Sequence, residues 1–172
     1  MTPEREKAVT FKGRPLTLLG PRLEAGDAAP DFSLTRNDLS TATLADYAGQ
    51  VLLLASVPSL DTPVCDQETR RFNQEAAALG PGVRILTISM DLPFAQARWC
   101  GAAGVDRVET LSDYKDRTFG YAYGVYIKEL GLLARAVFVV DRNGRLAYVE
   151  YVPEVGQHPD YDAALAAVRR LQ

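Results

Sequence analysis

The pattern of apolar and polar positions divides the chain into a short series of strands and helices. "VTFKGRPLTLLG" (9–20) alternates on either side of Gly13-Arg14-Pro15 and predicts an N-terminal β-hairpin. "APDFSLTRND" (29–38) predicts a short strand running into a turn. "QVLLLASV" (50–57) is an unbroken apolar run of strand length, as expected for a strand covered on both faces at the centre of a sheet. Over 63–79 the period changes. Phe72, Ala76 and Leu79 fall at helical spacing, leaving Arg70, Arg71 and Glu75 for the outer face. "VRILTISM" (83–90) is a second buried strand, and "DLPFAQARWCGAAG" (91–104) a helix with Pro93 near its start and glycines at its end.

A short strand is predicted at "RVETLS" (107–112) and a helix near "KDRTFGYAYG" (115–124). "ARAVFVVDRNGRLAYVEYV" (134–152) reads as a hairpin around Asp141-Arg142-Asn143-Gly144, and "DYDAALAAVRRL" (160–171) as a closing amphipathic helix. The order is βαβ, a helical link, then ββα. This is an α/β chain with the element order of a thioredoxin-like fold: a mixed central sheet flanked by helices, with a hairpin added in front.

Composition narrows the function. At 172 residues the chain has room for one domain with a real core, and the expected unit is 1–172 with residues 1–20 as the hairpin extension. A net charge of −3 and a pI near 5.2 argue against a nucleic-acid partner, which needs a basic face. No stretch approaches the roughly 20 apolar residues of a membrane span. "MTPEREKAVTF" has no apolar core of a signal peptide, so a cytoplasmic location is expected. With two cysteines and one histidine, no closed Cys/His zinc site is available, and no metal or cofactor is expected. A cysteine hydrolase would need His158, which lies in the polar "VGQHPDY".

The candidate chemistry lies in "PSLDTPVCDQETRRF" (58–72). If Thr62 caps the helix, Pro63 takes its first position, where a missing N–H costs nothing. Cys65 then falls at the third position, among backbone donors that lack intrahelical partners. Those donors and the positive end of the helix dipole favour an anion, and so a thiolate. Asp66 and Glu68 oppose it by charge, less so if they point outward into water. Arg135, embedded in the apolar "LLARAVFVV", is a candidate counter-charge. Cys100 closes its helix just before Gly101 and Gly104, where the dipole disfavours a thiolate. The two positions thus suggest an activated thiol at Cys65 and a passive one at Cys100. Each residue also has a plainer reading: a helix cap for Thr62, chain-direction prolines, an edge-strand Arg135 snorkelling to water, and small packing cysteines. The joint spacing Pro58-x-x-x-Thr62-x-x-Cys65 is hard to obtain from those readings together.

That signature, in "PSLDTPVC", resembles the peroxiredoxins. The wider "SLDTPVCDQETRRFN", "DLPFAQARWCGAAG" and "LLARAVFVVD" resemble their thiol peroxidase subfamily over nearly the whole chain. The resemblance implies an atypical two-cysteine enzyme that reduces hydrogen peroxide and alkyl hydroperoxides in antioxidant defence. Cys65 matches the peroxidatic cysteine, which becomes a sulfenic acid. Cys100 matches the resolving cysteine, which forms a disulfide with it inside one subunit. Thr62 matches the hydroxyl that orients peroxide and thiolate, Arg135 the guanidinium that stabilises both, and Pro58 the residue that shields the pocket. Thioredoxin as reductant and a homodimer are implied in the same way.

The cysteines lie 35 positions apart on two predicted helices, whereas a disulfide needs Cα atoms within roughly 7 Å. One or both helix ends must therefore unwind for the implied bond to form. "FGYAYGVYI" (119–127) offers either a hydrophobic rim to the pocket or core and dimer surface, the latter for most of its residues. Two other readings stay open on residues alone. A thiol–disulfide oxidoreductase on this fold is disfavoured by the absence of C-x-x-C. A non-catalytic module with inert cysteines predicts no rapid thiol loss on adding peroxide and no effect of Cys65→Ser.

Overall fold

The computed structural model describes residues 2–172, the Ala77 side chain excepted. Among these the chain runs β1 (Glu4–Phe11), β2 (Arg14–Leu19), β3 (Ser33–Thr35), β4 (Thr41–Thr43), a 3₁₀ turn (Leu44–Tyr47), β5 (Val51–Ser56), α1 (Pro63–Leu79), β6 (Val83–Ser89) and α2 (Pro93–Ala103). It continues through β7 (Glu109–Ser112), α3 (Thr118–Ala122), β8 (Tyr126–Ile127), β9 (Leu132–Leu133), β10 (Ala136–Val140), β11 (Leu146–Tyr151) and α4 (Tyr161–Arg170).

Seven strands form the central sheet in the order β11-β10-β5-β6-β7-β3-β4. β5, β6 and β7 are parallel, while β10 and β11 on one side and β3 and β4 on the other add antiparallel. The unbroken apolar run of β5 explains its place inside the sheet, because both of its faces are covered. Val51, Leu53 and Ala55 pack with Phe72 of α1 and with Ala164, Leu165 and Val168 of α4. Leu52 and Leu54 face the opposite core, with Phe119 of α3, Tyr123 just after it, and Leu16 and Leu18 of β2. The sheet is therefore mixed and covered by helices on both faces, the thioredoxin-like arrangement the element order predicts.

Two features differ from the sequence reading. The first hairpin turns at Lys12-Gly13 (φ +51° and +79°) rather than at Gly13-Arg14-Pro15, so Pro15 lies in β2 opposite Thr10. A two-residue loop that matches the twist of its strands needs φ > 0 at both positions, and this favours glycine there over proline. The hairpin also joins β8 and β9 in a second sheet, β1-β2-β8-β9. β8 and β9 are two residues each, too short to leave a periodic signal.

This topology positions the site. α1 leaves the carboxyl end of β5, the usual place for function beside parallel strands. β10 runs antiparallel to β5 with Ala136 opposite Ser56, so the residue just before β10 lies beside the start of α1. That residue is Arg135.

Candidate active site

Thr62 has extended backbone, Pro63 opens α1 and Cys65 stands at its third position, as the spacing predicts. The first bond of the helix runs from the Asp66 N–H to the Thr62 carbonyl (2.9 Å), so the Val64 and Cys65 N–H groups lie ahead of the intrahelical ladder. The Thr62 side chain does not cap the helix. Its Oγ1 donates to the Ser59 carbonyl (3.1 Å) and thereby faces the loop of residues 58–62. That loop is fixed by Asp91, whose carboxylate accepts from Ser59 Oγ, Leu60 N–H and Ser89 Oγ, each at 2.8 Å.

Cys65 is fully buried, and Arg135 is 2% exposed. Arg135 is thus neither on an edge strand nor snorkelling to water. All three of its side-chain nitrogens are engaged. Nη2 donates to Cys65 Sγ (3.1 Å), Nη1 to Glu68 Oε1 (2.9 Å) and Nε to the Val155 carbonyl (3.0 Å). Burial works against the guanidinium's charge, but Glu68 and Cys65 outweigh it and hold its pKa above the ordinary value.

Glu68 is the residue that the sequence reading misjudged. It does not point into water but is completely buried. Burial pushes its carboxyl up to about 7 against the pull of Arg135, and Oε2 has no hydrogen-bond partner. The signal was present in the spacing: residues three apart on a helix share a face, so Cys65 and Glu68 belong together. Asp66 does turn outward, accepting from Arg70 and from Trp99 Nε1.

Beside this cluster is a cavity of about 330 Å³, lined by Pro58, Thr62, Arg135 and apolar side chains including Ile127, Leu130 and Leu132. Pro58 is buried at its wall and Thr62 is half-buried. Within "FGYAYGVYI" only Ile127 reaches the cavity, while Phe119, Tyr123 and Val125 belong to the core.

Cys100 faces elsewhere. Its Sγ lies 3.4 Å from Thr110 Oγ1, on a separate cavity of about 550 Å³ that it shares with Arg36, Arg84 and Arg107. Burial pushes the Cys100 thiol up, with Thr110 only partly offsetting it. Gly104, in the left-handed region at φ +69°, ends α2 and its N–H returns to the Cys100 carbonyl. Both cysteines are free thiols. His158 lies exposed against the Tyr161 hydroxyl (Nδ1 to Oη 2.7 Å). Among the described residues no three His, Cys, Asp or Glu side chains converge as a metal-ligand set, and no helix is long and apolar enough to cross a membrane.

A buried thiol at a helix start, held by a buried guanidinium on a thioredoxin-like sheet, defines a class of thiol-based redox enzymes. Known proteins bear this out. The Redoxin family model matches residues 24–165. The thiol peroxidase of Bacillus subtilis (strain 168) is 57% identical over 95% of this chain and 97% of its own length, and that of Oceanobacillus iheyensis 59% identical over 94% and 98%. A crystal structure of a peroxiredoxin-like protein from Aquifex aeolicus superposes with a TM-score of 0.90 at 41% identity, covering 96% of this chain and 98% of that one. The chain belongs to the Redoxin family, in the thiol peroxidase branch of the peroxiredoxins, and is a peroxidase.

Proposed function

We propose that this chain reduces hydroperoxides with two cysteines of one subunit, Cys65 as the peroxide-reactive thiol and Cys100 as its resolving partner. The observation that carries the reading is the 3.1 Å contact from Arg135 Nη2 to Cys65 Sγ. A guanidinium that donates to sulfur stabilises the thiolate before attack and the charge that develops on the peroxide oxygens during it. The thiolate attacks one oxygen, and the O–O bond breaks. The sulfur is oxidised to a sulfenic acid, and the departing oxygen takes a proton and leaves as alcohol or water. Thr62, whose hydroxyl has its donor engaged by Ser59, keeps lone pairs free to accept from the peroxide O–H. Pro58 screens the sulfur from bulk water.

The Cys100 thiol then condenses with the sulfenic acid, forming the disulfide and releasing water. A dithiol reductant of the thioredoxin type restores both thiols by exchange. The chemistry resides in sulfur, and no cofactor is required. The apolar lining of the cavity favours alkyl hydroperoxides alongside hydrogen peroxide. We assign the enzyme to antioxidant defence in the cytoplasm, where a reducing environment keeps both thiols ready. Residues 1–172 act as one domain, and the homodimer rests on the family resemblance.

Mixing the reduced protein with one equivalent of peroxide, while following fluorescence and intact mass, tests these roles. Trp99 is the only tryptophan and adjoins Cys100, so its emission reports the resolving step. A two-step signal ending in loss of two hydrogens is expected. Cys100→Ser should stop at the sulfenic acid or proceed to over-oxidised forms, and Cys65→Ser should not react quickly. Rapid reaction of Cys65→Ser would reverse the roles.

A further inference from the structure

Trp99 and Asp66 are hydrogen-bonded, the indole Nε1 donating to Oδ2 at 3.0 Å. Asp66 directly follows Cys65, and Trp99 directly precedes Cys100. The bond therefore joins the start of α1 to the end of α2 at the very neighbours of the two thiols. Other contacts reinforce it. Arg70 pairs with Asp66, lies 5.7 Å over the Trp99 ring and donates through Nη1 to the Ala103 carbonyl at 3.3 Å. The indole also packs against the small buried cluster of Val57, Leu60 and Cys65.

Cys100 points away from all of this, towards Thr110. Consecutive residues on an α-helix project about 100° apart. The last turn of α2 can thus present Trp99 to the start of α1, or Cys100, but not both. We infer that Trp99 and Asp66 form a latch in the place Cys100 must take, and that its opening sets how fast a sulfenic acid on Cys65 is resolved. This rests on the roles proposed above for Cys65 and Cys100.

The latch has a chemical consequence. While it stays closed, a sulfenic acid on Cys65 remains beside the peroxide cavity. A second hydroperoxide then oxidises the sulfur to a sulfinic acid, its O–O bond being reduced and alcohol or water leaving. When it opens, Cys100 reaches the sulfur and water leaves as the disulfide forms. The strength of the latch therefore fixes the peroxide level at which the enzyme passes from turnover to over-oxidation. Asp66 and Trp99 act as positioning residues, since neither touches the reacting oxygens.

The test is the ratio of disulfide to sulfinic acid at a fixed excess of hydrogen peroxide, read by intact mass after acid quenching. Trp99→Phe keeps an aromatic ring in the slot and removes the donor, and Asp66→Ala removes the acceptor. Each is expected to raise the ratio by about three- to tenfold, the net effect of losing one half-exposed hydrogen bond. Asp66→Asn, whose amide oxygen still accepts, should stay closer to the parent protein. Asp160→Ala, which removes the side-chain cap of α4 and leaves the latch intact, separates loss of stability from loss of the latch. An unchanged or lowered ratio in both latch variants, or an equal rise in Asp160→Ala, would overturn the latch while the disulfide chemistry stands. Failure of the parent protein to form any Cys65–Cys100 disulfide would remove the underlying reading and the latch with it.

Discussion

Arg135 can hold a sulfur in place because its other nitrogens are already committed to Glu68 and the Val155 carbonyl. A lysine offers a single ammonium and cannot span three acceptors in fixed directions. Arg135→Lys is therefore expected to slow the first, peroxide-dependent step by about a hundredfold, the scale of losing one preorganised donor. Stopped-flow rates against peroxide concentration measure it. Glu68 shares the same guanidinium. Below about pH 7 its buried carboxyl is neutral, and above it the carboxylate competes with Cys65 for Arg135. Glu68→Gln keeps an acceptor for Nη1 and removes that competition. The variant-to-parent rate ratio should rise by about threefold between pH 6 and pH 8, a fraction of a full pKa unit's effect. A flat ratio across this range would show that the Glu68 charge does not reach the sulfur.

At the level of elements, the disulfide proposed between Cys65 and Cys100 requires one or both helix ends to unwind. The first turn of α1 has no capping side chain, and α2 closes with Gly101 and Gly104 in its last turn and cap. Both ends can unwind without breaking the central strands. Hydrogen–deuterium exchange should show amides near Cys65 and near Cys100 losing protection in the oxidised protein, while β5, β6 and β10 keep theirs. Equal protection in the two redox forms at both ends would rule out this opening. The Asp91 carboxylate grips the loop before α1 from the segment that leads into α2.

For the whole molecule, two buried carboxyls shape the dependence of stability on pH. Burial raises Glu68 from 4.5 to about 7, and Asp113 from 3.8 to about 6 against the N–H groups of Gly120 and Phe119. Between their ordinary and raised values the folded chain binds more protons than the unfolded one. Stability therefore falls as pH rises through about 4 to 7 and levels off above. Urea midpoints across this range should show the decline, and Glu68→Gln combined with Asp113→Asn should flatten it. A midpoint that rises with pH through the window would contradict the burial of both groups.

Much of the fold was legible because its signals are local. The continuous apolar run of β5, the helical period over 63–79 and the turn residues at 141–144 each act within a few positions, and each element formed where its pattern lies. Local spacing also put Pro63 at the head of α1 and Cys65 at its third position, and it placed Cys100 in the last turn of α2. Tertiary structure decided what depends on long-range pairing. The antiparallel register of β10 on β5 carried Arg135 to a cysteine 70 positions earlier. Packing of α1 against the sheet buried Glu68, and the loop held by Asp91 turned the Thr62 hydroxyl towards Ser59 instead of the helix. β8 lies against β2 of the hairpin and β9 against β8, pairings made between segments far apart in sequence or too short to show a period. A helix start makes a cysteine a candidate by geometry within one turn. Only the closure of distant segments around it can exclude water and bring a buried guanidinium to the sulfur, which the role proposed for Cys65 needs.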